Sequence, residues 1–150
     1  MTDIRRAKIS DSEILTNIAV ESEAYWGYDS DFMEKFKMIY KVTEDFISNN
    51  PTYVIQEEEK IVGFYGLLID GHENSLEYLF IEPKSIGKGY GKALWTHMIK
   101  TCETLGIREL VIVAGPDAKA FYTKMGAVPS GEVESLVRKG RKVPRLIYTL

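Results

Sequence analysis

Apolar positions recur at two periods along this chain, and the switches between them predict its elements. Ile4, Ala7 and Ile9 suggest a first strand, interrupted by Arg5, Arg6 and Lys8. Ser10-Asp11-Ser12-Glu13 is a capping-box pattern, after which Ile14, Leu15, Ile18 and Ala19 share a helical face running towards Ala24. Asp29-Ser30-Asp31 offers caps for a second helix that carries Phe32, Met33, Phe36, Met38 and Ile39. Thr43-Glu44-Asp45 starts a short third piece ending at Asn49-Asn50-Pro51. Thr52–Ile55 and Ile61–Ile69 read as partner strands around a charged turn, with Gly63 and Gly66 where another backbone comes close.

The second half alternates more regularly. Leu76–Ile81 has the composition and length of a buried strand, which Glu82-Pro83 stops because proline cannot donate to a ladder. Ala93, Leu94, Met98, Ile99, Cys102 and Leu105 then recur at helical spacing, with Trp95 off that stripe and expected to be partly exposed. Ile107–Ala114 is a Val/Ile-rich strand, and Pro116–Met125 a short helix with Pro near its start and Gly126 past its end. Ala127–Glu134 and Val143–Leu150 suggest a hairpin around Arg138-Lys139-Gly140-Arg141-Lys142, read first as a solvated tip, with contact to an acidic substrate or partner as the sharper alternative. The order is one strand, two or three helices, three strands, helix, strand, helix and two strands, an α/β arrangement with a mixed sheet.

Composition narrows the function classes. The 150 residues suit one domain, 1–150, with a core that needs no staples. A net charge of −3 provides no general basic field for nucleic acid. The single cysteine, Cys102, sits on an apolar stripe and is expected in the core; its solitude fits a cytoplasmic protein. The first ten residues lack the apolar core of a signal peptide, and no run approaches the ~20 apolar residues of a membrane span. His72 and His97 have no ligand-spaced partners, so no metal is expected.

Between the buried strand and the long helix lies Ile86-Gly87-Lys88-Gly89-Tyr90-Gly91-Lys92. Glycines let a backbone turn tightly and approach a ligand, and the free N–H groups and dipole of a helix start favour an anion. Lys88 and Lys92 add two cations there. The spacing fails the dinucleotide fingerprint, because the sixth position is Lys92 from Gly87 and Leu94 from Gly89; it fails the P-loop, because neither Gly-Lys is followed by Ser or Thr.

This stretch resembles the cofactor motif of the GNAT superfamily of N-acetyltransferases, written Q/R-x-x-G-x-G/A, after a strand ending hydrophobic-x-Pro, here Ile81-Glu82-Pro83. Ala118-Lys119-Ala120-Phe121-Tyr122-Thr123-Lys124-Met125-Gly126 resembles the family's second signature, a helix ending A-x-x-F-Y-x-K-x-G. Two positions depart from the pattern. Ile86 stands at the Gln/Arg position, and Gly115 stands where an asparagine is frequent, with Asp117 nearby as its replacement. The resemblance implies a mixed, mostly antiparallel sheet of about seven strands flanked by four or five helices and splayed between strands four and five. It implies acetyl-CoA as co-substrate, an amine acceptor from a small molecule or a protein, and allows a homodimer. The same motifs suit a domain that binds coenzyme A without turnover, as a sensor or regulatory subunit.

On that resemblance Tyr122 matches the tyrosine near the thioester sulfur, a phenol able to hydrogen-bond to a departing thiolate. Glu77, a carboxylate inside an apolar strand, is the candidate base; alternation places it on the face of Leu79 and Ile81. A base matters most for a Lys-like amine, whose deprotonation at pH 7 costs roughly 4–5 kcal/mol. Glu23 is the second candidate carboxylate; the plainer roles are a solvated or cross-strand-paired strand end for Glu77 and a solvated helix end for Glu23. Pantetheine and the oxyanion are assigned to the edge of Leu79, Phe80 and Ile81, with Ile86 to Lys92 (Gly87, Lys88, Gly89, Tyr90 and Gly91 between them) holding the diphosphate. Asp117, Phe121 and Lys124 flank the cofactor. Trp26 and Tyr28, and with them Tyr25, are candidates for the acceptor pocket or for closing the core edge.

Overall fold

In a computed structural model, which describes residues 2–150, seven segments form strands: β1 (Thr2–Arg6), β2 (Thr52–Glu57), β3 (Lys60–Ile69), β4 (Asn74–Ile81), β5 (Glu109–Val113), β6 (Val128–Glu134) and β7 (Lys142–Thr149). They make one sheet in the order β1-β2-β3-β4-β5-β7-β6. Neighbours are antiparallel except β4 and β5, which run parallel. The helices are α1 (Ser12–Ala24), α2 (Ser30–Ile39), α3 (Glu44–Asn49), α4 (Tyr90–Thr104) and α5 (Lys119–Lys124).

The sheet is buried on both faces, so two apolar cores form. Leu94, Met98 and Cys102 of α4 and Tyr122 of α5 pack with Tyr65, Leu67, Leu110, Ile112 and Leu146. Leu15, Ile18, Phe32, Phe36 and Ile47 of α1–α3 pack on the other face with Val54, Phe64 and Tyr78. Each such side chain contributes about 1.5–3 kcal/mol through burial.

Helix starts follow local chemistry. Asp29 accepts from the Phe32 N–H at 2.8 Å, and Thr43 from the Phe46 N–H at 3.0 Å. The capping box differs from expectation. A single 3₁₀ turn, Ile9–Asp11, precedes α1, and Asp11 reaches back to the Lys8 N–H at 2.9 Å and to Arg5 at 3.0 Å. Strand β1 accordingly stops at Arg6, before Ala7 and Ile9. Its charges are tolerated because β1 is an edge strand: Arg6 donates to the carbonyls of Ile47 and Asn50.

Two further expectations are corrected. Trp95 is 5% exposed, packed edge-on against Tyr148 at 5.1 Å and Phe121 at 6.4 Å, because α5 and β7 cover that side of α4. Of the two β3 glycines, a Cβ on Gly63 would stand 2.9 Å from the Phe80 carbonyl, a close backbone approach. At Gly66 the obstacles are the rings of Phe46 and Tyr78.

The feature that positions the site is a parting of strands. β3 and β4 pair along the length of β4, but β4 and β5 share one register pair, Ser75 with Val111. Beyond it the C-terminal ends of β4 and β5 diverge, leaving the β5-facing edge of residues 77–81 without a strand partner among the described residues.

Candidate active site

A cavity of about 590 Å³ fills the parting and runs through the sheet. Phe121, Tyr122 and Gly91 line it on the α4/α5 side; Phe32, Phe36 and Tyr40 line it on the α1/α2 side; Leu79, Phe80 and Ile81 form the wall between. Ligand sites beyond the carboxyl ends of parallel strands are a general consequence of such topology.

The glycine turn stands at the mouth on the α4 side. Gly87 (φ +87°) and Gly89 (φ +84°) are left-handed, and beyond the chain neighbours no atom of the described residues lies within 4 Å of where a Cβ would stand, so backbone conformation alone demands glycine there. Gly89 is the N-cap of α4, and the first helical bond runs from the Ala93 N–H to its carbonyl. The N–H groups of Tyr90, Gly91 and Lys92 therefore have no partner inside the helix. Gly91 has helical backbone, and its missing Cβ leaves room for the Phe121 ring, 3.4 Å from that position. Lys88 and Lys92 are exposed at this mouth, and half-exposed Ile86 lines the cavity. Tyr90 points elsewhere: its hydroxyl donates to Glu57 at 2.9 Å. Lys124 is exposed and lies outside the cavity lining.

Tyr122 is buried at 6% exposure between Trp95 and Phe121, with ring centroids at 6.0 and 5.3 Å. Its ring borders the cavity, and its hydroxyl, which has no protein partner among the described residues, is accessible rather than sealed in the core. Burial pushes this phenol well above its ordinary value, so it stays protonated and able to donate.

Glu77 does not follow simple alternation. The β3–β4 register shifts between Gly66 and Leu67, so that Gly66 opposes Tyr78 while Leu67 opposes Leu76; Glu77 is the extra residue of a bulge. Leu76 thereby joins Leu79 and Ile81 in the α4-side core, whereas Glu77 stands near enough to Tyr40 and Tyr78 for its charge to raise both phenols. The bulge turns the carboxylate to the α1/α2 side of the cavity. Burial raises its own pKa.

The sequence favours a solvated helix end for Glu23; the structure instead half-buries it in the same chamber, with its pKa pushed up to about 6 by burial. The Arg141 guanidinium opposes that rise and Asp117 reinforces it. Tyr40 feels the charge of both Glu77 and Glu23 on top of its own burial, so the three share one chamber.

The basic segment between β6 and β7 is not a solvated tip. It folds over the chamber, with Ser135, Leu136, Val137 and Arg141 in the lining. Arg138 holds Asp29 and lies over the Phe32 ring at 5.2 Å. Arg141 lies over the rings of Tyr28 (4.8 Å) and Phe32 (5.2 Å) and donates to the Tyr28 hydroxyl at 2.7 Å. That hydroxyl donates in turn to Asp117 at 3.2 Å. Tyr28 therefore supports Arg141, and Asp117 is engaged from the acceptor side. Trp26, half-exposed, is at the rim; Tyr25 is exposed and touches it edge-on at 5.1 Å. Arg141 is the member of the basic run that enters the lining, a choice the sequence does not single out, since a run of basic residues between strands carries no signal of inward orientation.

Residues 16–127 match the model of the acetyltransferase (GNAT) family. The chain belongs to the GNAT family. It is 29% identical over 159 aligned residues, covering 99% of both chains, to peptidyl-lysine N-acetyltransferase YjaB of Salmonella typhimurium. Its fold matches the crystal structure of PaiA N-acetyltransferase from Thermoplasma acidophilum in complex with coenzyme A (TM-score 0.84, 20% identity, 100% of this chain and 99% of that one). It likewise matches IAA acetyltransferase from Bacillus cereus (TM-score 0.70, 20% identity, 100% of each chain). This GNAT protein is an acetyl-CoA-dependent N-acetyltransferase with the seven-stranded, β4/β5-splayed fold. None of its described helices is long and apolar enough to cross a membrane.

Proposed function

We propose that this acetyltransferase moves the acetyl group of acetyl-CoA directly to a primary amine in a ternary complex. The observation that carries the reading is the single cavity through the β4/β5 parting. It joins a helix N-terminus with two left-handed glycines on one side to two half-buried carboxylates on the other.

The residues fit the carrier. The N–H groups of Tyr90, Gly91 and Lys92, with Lys88 and Lys92 beside them, would hold its diphosphate. The unpaired edge of Leu79, Phe80 and Ile81 offers backbone groups for the pantetheine amides and for the carbonyl oxygen. Phe121 packs beside the path. The carrier supplies a thioester carbonyl and a thiolate leaving group. Tyr122, protonated and without a protein partner, donates to the sulfur as it leaves. Glu77 takes the proton of the attacking amine, in a chamber whose burial makes that carboxylate a stronger base than in water. Glu23 offers a second carboxylate to the incoming ammonium, with Trp26 at the rim.

Initial rates against both substrates test the reading. Intersecting double-reciprocal lines, with acetyl transfer to amines detected by mass spectrometry, are expected. Parallel lines, or tight coenzyme A binding with no transfer to any amine class, would overturn it; the second result would favour a non-catalytic sensor.

A further inference from the structure

The chamber's charges sort themselves once internal partners are subtracted. Five carboxylates and one guanidinium line it. Glu73 is paired with Arg145 at 3.1 Å, Glu134 accepts from the Gly140 N–H at 2.8 Å, and Asp117 accepts from Tyr28. Glu23, Glu77 and Arg141 remain, none with an ion-pair partner among the described residues.

Arg141 is the unusual member. A half-buried guanidinium ordinarily sits against a carboxylate, because its charge is costly to desolvate alone. Here two aromatic faces and one hydroxyl hold it flat, and its other N–H donors have no protein acceptor among the described residues. A guanidinium fixed this way presents a fork matched to a carboxylate. Its place is also defined. Arg141 lines the same chamber as Glu23 and Glu77, and it stands near enough to Glu23 to oppose the rise of that carboxyl's pKa.

We infer that Arg141 reads a carboxylate on the acceptor, so that the substrate is a small zwitterion of the amino-acid class, its amine between Glu77 and Glu23. The inference rests on the acetyl-transfer reading of this cavity. The segment folded over the chamber and fastened by Arg138 to Asp29 favours a small molecule over an extended peptide, which needs an open groove. Arg141 is a specificity residue; it touches the acceptor and takes no part in the proton steps.

The test compares common L-amino acids, each against its own carboxamide, together with a lysine peptide blocked at both termini. In the wild type the best acid should exceed its amide at least about tenfold in kcat/KM, the worth of one charge-assisted pair. Arg141→Gln should bring that ratio to within about twofold, through KM for the acid, and Arg141→Lys should give an intermediate value because the ammonium lacks the fork. Arg138→Gln, which loosens the same segment, should slow acid and amide alike and keep the ratio. An amide or the blocked peptide used as well as the acid overturns the inference while leaving acetyl transfer standing. A ratio unchanged in a folded Arg141→Gln protein also overturns it. Absence of transfer to every amine overturns both readings.

Discussion

Nη2 of Arg138 donates to both carboxylate oxygens of Asp29, at 2.9 and 2.8 Å, joining residues 109 apart in sequence. One of those oxygens also caps α2 through the Phe32 N–H. A single carboxylate thus starts a helix and fastens the segment that covers the acceptor side of the cavity. The capping bond and Arg138 hold its pKa below the ordinary aspartate value.

Because the pair is solvent-exposed, its role is positional more than energetic. Arg138→Ala is expected to raise KM for the acceptor several-fold, to leave KM for acetyl-CoA where it is, and to lower the melting temperature little. Asp29→Asn keeps a capping oxygen and should reproduce the KM change without melting α2. High salt should weaken acceptor binding more in wild type than in Arg138→Ala, because only wild type also loses the clamp. Equal salt responses in the two proteins would remove the clamp from the account.

Tyr122→Phe removes an oxygen that bonds to no protein group among the described residues while keeping the ring between Trp95 and Phe121. Turnover should fall at least about tenfold with coenzyme A affinity and thermal stability retained. Wild-type turnover in this variant would take Tyr122 out of the chemistry.

Glu23 has a folded pKa raised to about 6 from an ordinary 4.5. The folded state therefore binds its proton more tightly than the unfolded chain, and this residue costs stability as pH rises from about 4.5 to about 6. Glu23→Gln should then be more stable than wild type at pH 8, by about 1 kcal/mol after allowance for solvent screening, or about 2–4 °C in Tm. The two melting curves should converge below the lower pKa. A constant offset at all pH values would mean that packing, not ionisation, sets the difference. The same variant should lose the part of an acidic limb of kcat/KM near pH 6 that Glu23 contributes, while the limb set by the base Glu77 stays.

Gly89→Ala puts a Cβ on a left-handed residue with no atom near it, so strain is the only structural cost, about 1 kcal/mol. Relaxing that strain moves the N–H groups that open α4. Coenzyme A affinity should drop at least about tenfold, the worth of about 1.4 kcal/mol, with KM for the amine affected far less. Gly115→Ala, at a glycine with ordinary backbone and open space, should leave coenzyme A affinity intact.

Much of the architecture is written locally. The element order, the N-caps of α2 and α3, and the glycine turn that opens α4 follow from periodicity, capping oxygens and backbone freedom, all properties of neighbours in sequence. The family motif is legible for the same reason: the turn, the strand before it and the Phe121-Tyr122 pair are contiguous. Three matters rest on contacts that no local pattern records. A bulge opposite Gly66 and Leu67 reverses the facing of Glu77, because register is decided jointly by two strands. Glu23 gains its raised pKa from burial by elements beyond its own helix. Arg141 lies against the rings of Tyr28 and Phe32 and donates to the Tyr28 hydroxyl, residues more than a hundred positions away in sequence that only tertiary packing brings within reach.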